Sequence, residues 1–380
     1  MGFDQARLAR MREVMDGYVA DGTLPGAVTA VSRGGETHIA AYGNLSIGGE
    51  PVRRDTIFRI ASMTKPITAA AVMSLVEECV LRLDDPVDDL LPELADRRVL
   101  TSPDVPLTDT VPAARSITAR DLLTFTFGLG AVPGDVPIAK AMHEAGLSPS
   151  PVDPGVTPDE WMRRLGELPL AYQPGDQWLY HTGSDVLGVL IARATGRELA
   201  DVLRERIFEP LGMRDTGFRT SAESRVPTVY MPDDGVLVPF PAPASEEPAF
   251  GSGAGGLLST ADDFLAFYRM LLNGGKHEGT RMLSRASVEL LTTDRLVASQ
   301  KPDPAATLPG NVGWAFGQSV VTRRVGLAGV GQFGWSGGFG TTAFAEPAED
   351  LIAILLTQRA LTGGAPHFQD FETTTYQALA

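Results

Sequence analysis

Cysteine is almost absent from this chain, which carries a single one among 380 residues. With Cys79 alone, no intrachain disulfide can form and no cysteine-based metal cluster can be built. The surrounding stretch Val72–Leu81 is largely apolar and reads as part of a helix. We therefore predict a buried, unreactive thiol at this position.

Histidine is also rare, and the few that occur lack the spacing of a metal site. A zinc hydrolase commonly places two histidines four residues apart on one helix, often with a glutamate between them. No such pair is present, so the sequence predicts neither a bound metal nor a cofactor. The five histidines are His38, His143, His181, His277 and His367.

Basic residues are too few and too scattered to bind a polyanion. The chain has 32 Lys and Arg against 47 Asp and Glu, a net charge of −15. Phosphate backbones and anionic membrane surfaces repel such a chain, so neither nucleic acid nor a membrane is predicted as a partner. Apolar runs of bilayer-spanning length are missing, and the N-terminus has no signal-peptide core. We expect a cytoplasmic protein that acts on a small molecule.

Both ends of the chain carry the patterns of a sheet flanked by helices. Near the start, an amphipathic helix precedes two runs rich in Val, Thr and Ile that flank Gly34 and Gly35. Two such runs around a glycine pair are typical of a β-hairpin. The runs at the start, and the strands and closing helix predicted near the end, are Ala27–Ser32, Thr37–Tyr42, Trp314–Thr322, Gly331–Glu346, Leu351–Leu356 and Phe368–Ala378.

The middle of the chain has short helical segments separated by long irregular stretches. Two of these, Ala131–Pro154 and Tyr230–Phe250, have the length of loops that shape a binding site or a lid. We predict an α+β fold in which residues 1–83 and 310–380 form a helix-flanked antiparallel sheet. Residues 84–309 are predicted to form a helical, loop-rich inserted domain, with the reactive groups at the seam between the two parts.

The most specific chemical signal is Ser62-Met63-Thr64-Lys65 at the start of a long predicted helix. A serine hydroxyl is a weak nucleophile at neutral pH and needs an adjacent base. Helix positions three apart share a face, so the Lys65 amine can point at the Ser62 oxygen. The helix start also offers free N–H groups to a developing oxyanion. The alternative interpretation is an N-cap serine beside a solvated lysine.

The surroundings of this motif resemble a known family of serine enzymes. Arg59–Pro66, followed by an alanine-rich helix and Leu83–Val87, is similar to class C β-lactamases, penicillin-binding proteins and the family VIII carboxylesterases. That family carries a second element, Tyr-x-Asn after Pro-Gly-x-x-Trp, and Pro174–Thr182 resembles it. Here Tyr180 matches the family tyrosine, while Thr182 stands where the family has asparagine. The resemblance implies a β-lactamase/transpeptidase-like fold.

The resemblance also implies roles for individual residues. Tyr180 is expected to complete the base with Lys65, and the backbone N–H groups of Ser62 and Gly338 are expected to bind the oxyanion. The third family element, Lys-Thr-Gly, has its place taken by the segment from Trp335 to Thr341. His181 is interpreted either as a neighbour of the site or as a surface loop residue. Substrate contacts are expected from Trp335, Ser336, Gly337, Thr182 and Phe125.

A second serine motif competes with the first. Gly334–Gly338 fits Gly-x-Ser-x-Gly, in which Ser336 would be the nucleophile of an α/β-hydrolase. That nucleophile elbow needs a strand, a sharp turn and then a helix, whereas the residues after Ser336 have the pattern of a strand. We therefore prefer Ser62 as the nucleophile and expect Ser336 to line the site.

These observations predict a serine carboxylesterase that hydrolyses small or medium esters through an acyl-enzyme on Ser62, with acyl transfer as a further activity. Trp335 stands where β-lactamases carry a lysine whose ammonium holds the carboxylate of the antibiotic, so esters are expected to be better substrates than β-lactams. One alternative is a β-lactamase or a D-amino-acid peptidase or amidase of the same fold. Another is a non-catalytic relative that only binds a ligand.

Overall fold

The computed structural model describes residues 2–150, 153–301, 308–361 and 365–380. The helices are α1 (Gln5–Ala20), α2 (Thr64–Glu77), α3 (Ala119–Leu123), α4 (Pro137–Glu144), α5 (Pro158–Glu167), α6 (Thr182–Thr195), α7 (Leu199–Leu203), α8 (Glu209–Leu211), α9 (Ala261–Leu272), α10 (Arg285–Thr292) and α11 (Pro366–Gln377). Within these ranges, no helix combines the length and the apolar character needed to cross a membrane.

The longest strands lie near the two ends of the chain. They are β1 (Gly26–Arg33), β2 (Glu36–Gly43), β3 (Phe58–Arg59), β4 (Arg98–Leu100), β5 (Thr110–Pro112), β6 (Val229–Asp233), β7 (Val236–Phe240), β8 (Leu258–Ser259), β9 (Lys276–His277), β10 (Thr280–Arg281), β11 (Val312–Trp314), β12 (Ser319–Val321), β13 (Phe333–Gly337), β14 (Thr341–Glu346) and β15 (Leu351–Thr357).

Seven strands form one antiparallel sheet in the order β11-β12-β13-β14-β15-β1-β2. The predicted hairpin is present as β1 and β2, and β15 pairs with β1. This pairing joins the strands of the C-terminal segment to the hairpin of the N-terminal segment. The predicted α+β class, with an antiparallel sheet built from both chain ends, is confirmed.

The sheet is covered by helices on both faces, and β15 shows this most clearly because all of its residues are buried. Its alternate side chains enter two different clusters, one of which contains residues of α1 and α11 and the other residues of α2 and α9. A strand covered on both faces has a continuous apolar sequence rather than an alternating one, as Leu351–Thr357 does.

Helix α2 runs through the interior of the molecule, and 11 of its 14 residues are buried. It packs against α6 and α10, and three consecutive alanines, Ala69–Ala71, are among its buried residues. A helix that is apolar around most of its circumference belongs in a protein core. Lys65, in its first turn, is therefore carried into the interior, which contradicts the alternative of a solvated lysine.

Helix α9 lies within the segment predicted as an inserted domain, yet it packs against β1 and β15 of the main sheet. The ring of Tyr268 on this helix stacks on Phe333 of β13, with 5.8 Å between ring centroids. The proposed division into residues 1–83 with 310–380 and residues 84–309 stays a prediction.

The two stretches predicted to be irregular contain short elements. Helix α4 lies in the first, and the β6–β7 hairpin lies in the second. This hairpin turns at Asp234 and Gly235, both of which have positive φ. An Asp-Gly pair with two positive φ angles is the signature of a two-residue type I′ turn. The prolines at 232 and 239 concealed the strands on either side of it.

Cys79 is exposed, so the prediction of a buried thiol is wrong. Helix α2 ends at Glu77, earlier than its apolar pattern suggests. Cys79 follows it with a φ of 61°, the left-handed conformation that commonly terminates a helix. This turn directs the thiol to the surface.

Candidate active site

Ser62 lies at the junction between a short strand and the buried helix. Strand β3 pairs with β8, and a single 3-10 turn, Ala61–Met63, connects it to α2. Ala61 has a φ of 45°, a left-handed conformation that is uncommon for a residue with a Cβ atom. This sharp turn places the Ser62 hydroxyl at the start of the helix, 3.0 Å from the Lys65 amine.

Lys65 is fully buried and makes three polar contacts through its amine. Besides Ser62 Oγ, the Nζ atom lies 3.2 Å from His181 Nδ1 and 2.6 Å from the backbone oxygen of Ala254. Burial lowers the pKa of Lys65 from its ordinary value to about 7, although the nearby charge of Asp185 acts in the opposite direction. The structure therefore places a partly neutral amine beside the serine near neutral pH.

Tyr180 lies between the lysine and a cluster of aromatic rings. The Lys65 amine lies over the face of its ring, 4.7 Å from the centroid. The indole of Trp335 donates its N–H to the Tyr180 hydroxyl at 2.7 Å. Burial raises the pKa of Tyr180 to about 12, although its contacts with Ser62 and Trp335 lower it. The phenol is consequently protonated at neutral pH, not a phenolate.

His181 is buried beside Lys65, so the interpretation as a surface residue is wrong. Its φ and ψ are 84° and −68°, and the Thr182 N–H bonds to the Tyr180 carbonyl across it. These angles define a strained γ-turn that directly precedes α6. Burial and the adjacent Lys65 lower the pKa of His181, so its ring is neutral near pH 7. Two features of the sequence could have identified His181 as a site residue. It directly follows Tyr180, and Asp185 lies four residues after it, the spacing of a side-chain pair on one helix face.

Asp185 is a buried carboxylate that sequence reasoning did not single out. Its Oδ2 lies 3.3 Å from His181 Nε2. Its Oδ1 accepts hydrogen bonds from Ser252 Oγ at 2.6 Å and from the Ala254 N–H at 3.1 Å. Burial alone raises its pKa, but the hydrogen bond and charge of His181, the hydrogen bond from Ser252 and the charge of Lys65 outweigh burial and keep the pKa below its ordinary value. Asp185 is therefore ionised at neutral pH.

The end of β13 lies directly against the serine turn. A Cβ atom added to Gly337 would collide with the Ile60 carbonyl oxygen and with Thr341, so this position admits only glycine without rearrangement. Thr341 fixes the contact by donating from Oγ1 to the Ile60 carbonyl at 3.1 Å. Gly338 follows, exposed and with open space around it, and no bond from its backbone N–H to a described residue is present.

The residues predicted to contact substrate divide into two groups. Trp335, Ser336 and Gly337 lie on β13 beside the serine turn, where Ser336 pairs with Thr342 of β14 through its hydroxyl at 2.9 Å. Phe125 and Thr182 have no exposed surface, so the prediction that they contact substrate is wrong for this conformation. Phe125 instead packs behind Tyr180, because a φ of 61° turns it into the aromatic cluster.

The nucleophile elbow at Ser336 is also excluded. After Gly337 the chain makes a tight turn and returns as β14, which pairs antiparallel with β13. The next element after Ser336 is strand β14 rather than a helix, and the Ser336 hydroxyl bonds to a threonine rather than to a histidine. An α/β-hydrolase elbow requires the strand-turn-helix arrangement that is missing here.

A cavity of about 580 Å³ borders the reactive cluster on the side of His181 and Asp185. Five Trp and Phe side chains contribute to its wall, together with Pro149, Pro154 and the prolines of segment 241–248. The aromatic residues are Trp161, Phe218, Phe240, Phe250 and Phe339. In the described part of the chain, no group of three His, Cys, Asp or Glu side chains is arranged to hold a metal ion.

The charges around this cavity are mainly acidic. Asp153, Asp185, Glu246 and Glu247 line it, whereas Arg59 is the one arginine or lysine among the described residues of its wall. Arg59 is already bonded through Nη2 to the carbonyls of the loop at residues 242–243. The cavity therefore favours a neutral, apolar ligand over an anionic one.

The fold and the Ser-Lys-Tyr cluster define a class of enzyme, and comparison with known proteins agrees. The profile of the Beta-lactamase family matches residues 11–370. The chain therefore belongs to the β-lactamase family and is a serine hydrolase, as the resemblance predicted.

Three relatives are similar along nearly their whole lengths. Protein Rv1367c of Mycobacterium tuberculosis is 42% identical and aligns with 92% of this chain and 88% of its own. Esterase EstB of Burkholderia gladioli is 34% identical, over 95% of this chain and 93% of its own. The solved structure of EstCE1, described as a hydrolase with promiscuous acyltransferase activity, superposes with a TM-score of 0.84 at 25% identity, covering 98% of this chain and 99% of its own.

Proposed function

We propose that this protein is a carboxylesterase that forms an acyl-enzyme on Ser62, with Lys65 as the base. The observation that carries the proposal is the fully buried Lys65 amine held 3.0 Å from Ser62 Oγ. A lysine can accept a proton near neutral pH only when its environment disfavours the ammonium form. The buried position of Lys65 on α2 supplies that environment. The pKa of Lys65, about 7, lies near the operating pH, as a general base requires.

In the acylation step, Ser62 Oγ bonds to the carbonyl carbon of the ester while its proton moves to the Lys65 amine. The carbonyl oxygen gains the electron pair and becomes an oxyanion. The backbone N–H groups of Ser62 and Gly338 stabilise this charge, since the first lies in the opening helical turn and the second bonds to no other group among the described residues. The intermediate then collapses and the bond to the alcohol breaks.

Tyr180 supplies the proton that the alcohol needs to leave. Its hydroxyl accepts from Trp335, so its own hydrogen can be donated toward Ser62 and the leaving oxygen. The Lys65 ammonium, which lies against the same ring, returns a proton to the phenol and becomes neutral again. Water then attacks the acyl-enzyme with Lys65 again accepting a proton, which releases the acid and regenerates Ser62.

The cavity supports a neutral apolar substrate. A volume of about 580 Å³ accommodates a small or medium organic group, and its aromatic wall favours burial of an apolar acyl or alcohol portion. The acidic side chains around it disfavour the carboxylate that β-lactam antibiotics carry. The name of the relative EstB, an esterase, supports the same class of substrate.

Labelling and kinetics test this proposal. The parent enzyme, Ser62→Ala and Ser336→Ala are treated with a fluorophosphonate, and the modified peptide is identified by mass spectrometry. We expect labelling of the parent and of Ser336→Ala at Ser62, with hydrolysis of p-nitrophenyl esters abolished only in Ser62→Ala. Labelling at Ser336 would overturn the assignment of Ser62 as the nucleophile. A parent enzyme that is neither labelled nor active on esters, nitrocefin or a D-amino-acid amide would instead be a ligand-binding relative.

Acyl transfer is a second activity of the same acyl-enzyme, which the acyltransferase activity of EstCE1 favours. An alcohol that enters the apolar cavity takes the place of water in the second step. The test adds increasing concentrations of 1-butanol to p-nitrophenyl butyrate hydrolysis and measures butyl butyrate and butyrate separately. Transfer predicts that the ester product rises with alcohol, whereas a pure hydrolase yields butyrate alone.

A further inference from the structure

The hydrogen bonds of Lys65 fix the direction of its lone pair. A neutral amine has two N–H donors and one lone pair, and here it has three polar neighbours. The Ala254 carbonyl can only accept, whereas the Ser62 hydroxyl can donate. If His181 Nδ1 accepts the second N–H, the lone pair has only Ser62 left to face. The aim of the base then depends on which ring nitrogen of His181 carries the hydrogen.

Asp185 settles that question. Its ionised carboxylate lies 3.3 Å from His181 Nε2 and can only accept, so the hydrogen of the neutral ring is on Nε2. Nδ1 is thereby left as an acceptor facing Lys65. If the hydrogen were on Nδ1 instead, the ring would donate to the Lys65 lone pair and compete with the Ser62 proton.

The other oxygen of the same carboxylate positions the second acceptor. Asp185 Oδ1 accepts from Ser252 Oγ and from the Ala254 N–H, so it anchors the loop whose Ala254 carbonyl bonds to Lys65. One buried carboxylate thus holds both groups that occupy the N–H donors of the base. In the sequence, His181 lies 116 residues after Lys65, and Ala254 lies 189 residues after it.

The backbone at His181 is consistent with this role. Its γ-turn is a strained conformation for a residue with a Cβ atom, and such strain persists only where the surroundings enforce it. Immediately after it, α6 begins, so Asp185 lies in the first turn of that helix, where a negative charge is favourable. The turn directs the imidazole between the carboxylate and the amine.

We propose that His181 and Asp185 are positioning residues, which orient the Lys65 lone pair toward Ser62 through the chain Asp185–His181–Lys65–Ser62. This inference rests on the proposed roles of Ser62 and Lys65. Neither His181 nor Asp185 forms a covalent bond in the reaction, and the hydrogen of the His181 ring stays on Nε2 throughout. The pair acts through Lys65 and takes no proton from the ester or from Ser62.

The charges around the base determine the expected pH effect. The titratable groups that face one another are Lys65 on α2, Tyr180 and His181 before α6, and Asp185 on α6. Segment 252–256 and β13 contribute no titratable side chain to this group. Arg59 lies at the wall of the cavity. Removing the negative charge of Asp185 removes stabilisation of the Lys65 ammonium, so the pKa of Lys65 falls further. The rising part of the activity profile then moves to lower pH.

The first test compares Asp185→Asn with Asp263→Asn. Asp263 is the matched control, because it is also a buried carboxylate in the first turn of a helix but bonds to Thr216 and the Asp215 N–H, away from the cluster. For Asp185→Asn we expect kcat on p-nitrophenyl butyrate to fall about a hundredfold, the cost of a misplaced catalytic group, with KM little changed. Its pH profile shifts to lower pH, while that of Asp263→Asn does not.

The second test removes the imidazole without straining the backbone. Glycine adopts positive φ freely, so the backbone of His181→Gly can keep the γ-turn without strain. The substitution therefore removes the imidazole and leaves the path of the chain unchanged. We expect kcat to fall about a hundredfold and to recover, in a saturable manner, when imidazole is added to fill the space beside the cavity. His277→Gly, on the distant hairpin of β9 and β10, is the control and shows neither the loss nor the recovery.

These outcomes separate this inference from the proposed function. If the parent is labelled at Ser62 but both variants keep kcat within threefold and an unshifted pH profile, the positioning role is wrong and the Ser62–Lys65 chemistry stands. A loss in both variants with an unshifted pH profile and no recovery with imidazole would also overturn it, as a purely structural effect. Failure of the parent to be labelled at Ser62 would overturn the proposed function itself.

Discussion

Trp335 and Tyr180 are joined by a hydrogen bond of 2.7 Å in which the indole N–H donates to the phenol oxygen. The rings also contact one another, with 5.3 Å between their centroids. Trp335 was expected from the sequence to contact the substrate, and that stays a prediction. The structure shows that its N–H is used within the site, where it sets the orientation of the Tyr180 hydroxyl.

Trp335→Phe should therefore reduce catalysis rather than substrate binding. The phenylalanine keeps an aromatic ring beside Tyr180 but removes the donor, which costs about 0.5–1.5 kcal/mol, or roughly a two- to tenfold loss in kcat. The measurement is steady-state kinetics with p-nitrophenyl butyrate, with a thermal melt to confirm folding. A variant that changes KM alone would show that Trp335 acts mainly on the substrate.

The phenol of Tyr180 should be needed for turnover. Tyr180→Phe retains the ring that helps keep Lys65 out of water but removes the proton donor for the leaving alcohol. General acid–base groups typically contribute a factor of about 10²–10⁴, so we expect kcat to fall at least a hundredfold with a smaller change in KM. A near-normal kcat for this variant would show that Tyr180 only packs in the site and takes no part in proton transfer.

Activity should rise with pH through the neutral range. Only the neutral Lys65 amine accepts the Ser62 proton, and the neutral fraction grows as pH passes its pKa of about 7. Tyr180, with a pKa of about 12, stays protonated across the whole range, so no descending limb is expected below pH 10. The check is kcat/KM from pH 5 to 10, corrected for spontaneous ester hydrolysis. Lys65→Arg, which cannot lose its proton, should be inactive at every pH.

The close contact between β13 and the serine turn should make Gly337 sensitive to any side chain. In Gly337→Ala, the added methyl collides with the Ile60 carbonyl and Thr341, and overpacking of this kind costs about 1–3 kcal/mol. We expect a lower melting temperature and slower phosphonate labelling of Ser62. Gly338→Ala is the control for stability alone, since its Cβ has no neighbour within 4 Å and its melting temperature should not change.

Esters should be better substrates than β-lactams. A β-lactam carboxylate meets an acidic cavity and lacks the lysine that β-lactamases provide, a loss of about 1.5–3 kcal/mol or ten- to a hundredfold in binding. The comparison is kcat/KM for p-nitrophenyl butyrate and for nitrocefin on one preparation. A value for nitrocefin equal to or above that of the ester would replace the esterase assignment by β-lactamase.

Local patterns in the sequence were enough to predict much of the architecture. The hairpin β1–β2, the buried helix after Ser62 and the apolar strand β15 each follow from periodicity, glycine placement or an uninterrupted apolar run. The errors arose where local signals were ambiguous. Cys79 was assigned to a helix that ends two residues earlier, and prolines concealed the β6–β7 hairpin.

The sequence by itself determined the candidate nucleophile and its base, because Ser62 and Lys65 are three residues apart and one helical turn brings them together. Only the tertiary structure decided what surrounds that pair. His181, Asp185 and Ala254 meet Lys65 through the packing of α6 and the loop before α9 against α2, at sequence separations that no local pattern encodes. The pKa of Lys65 likewise depends on burial, a property of the assembled core and not of the motif.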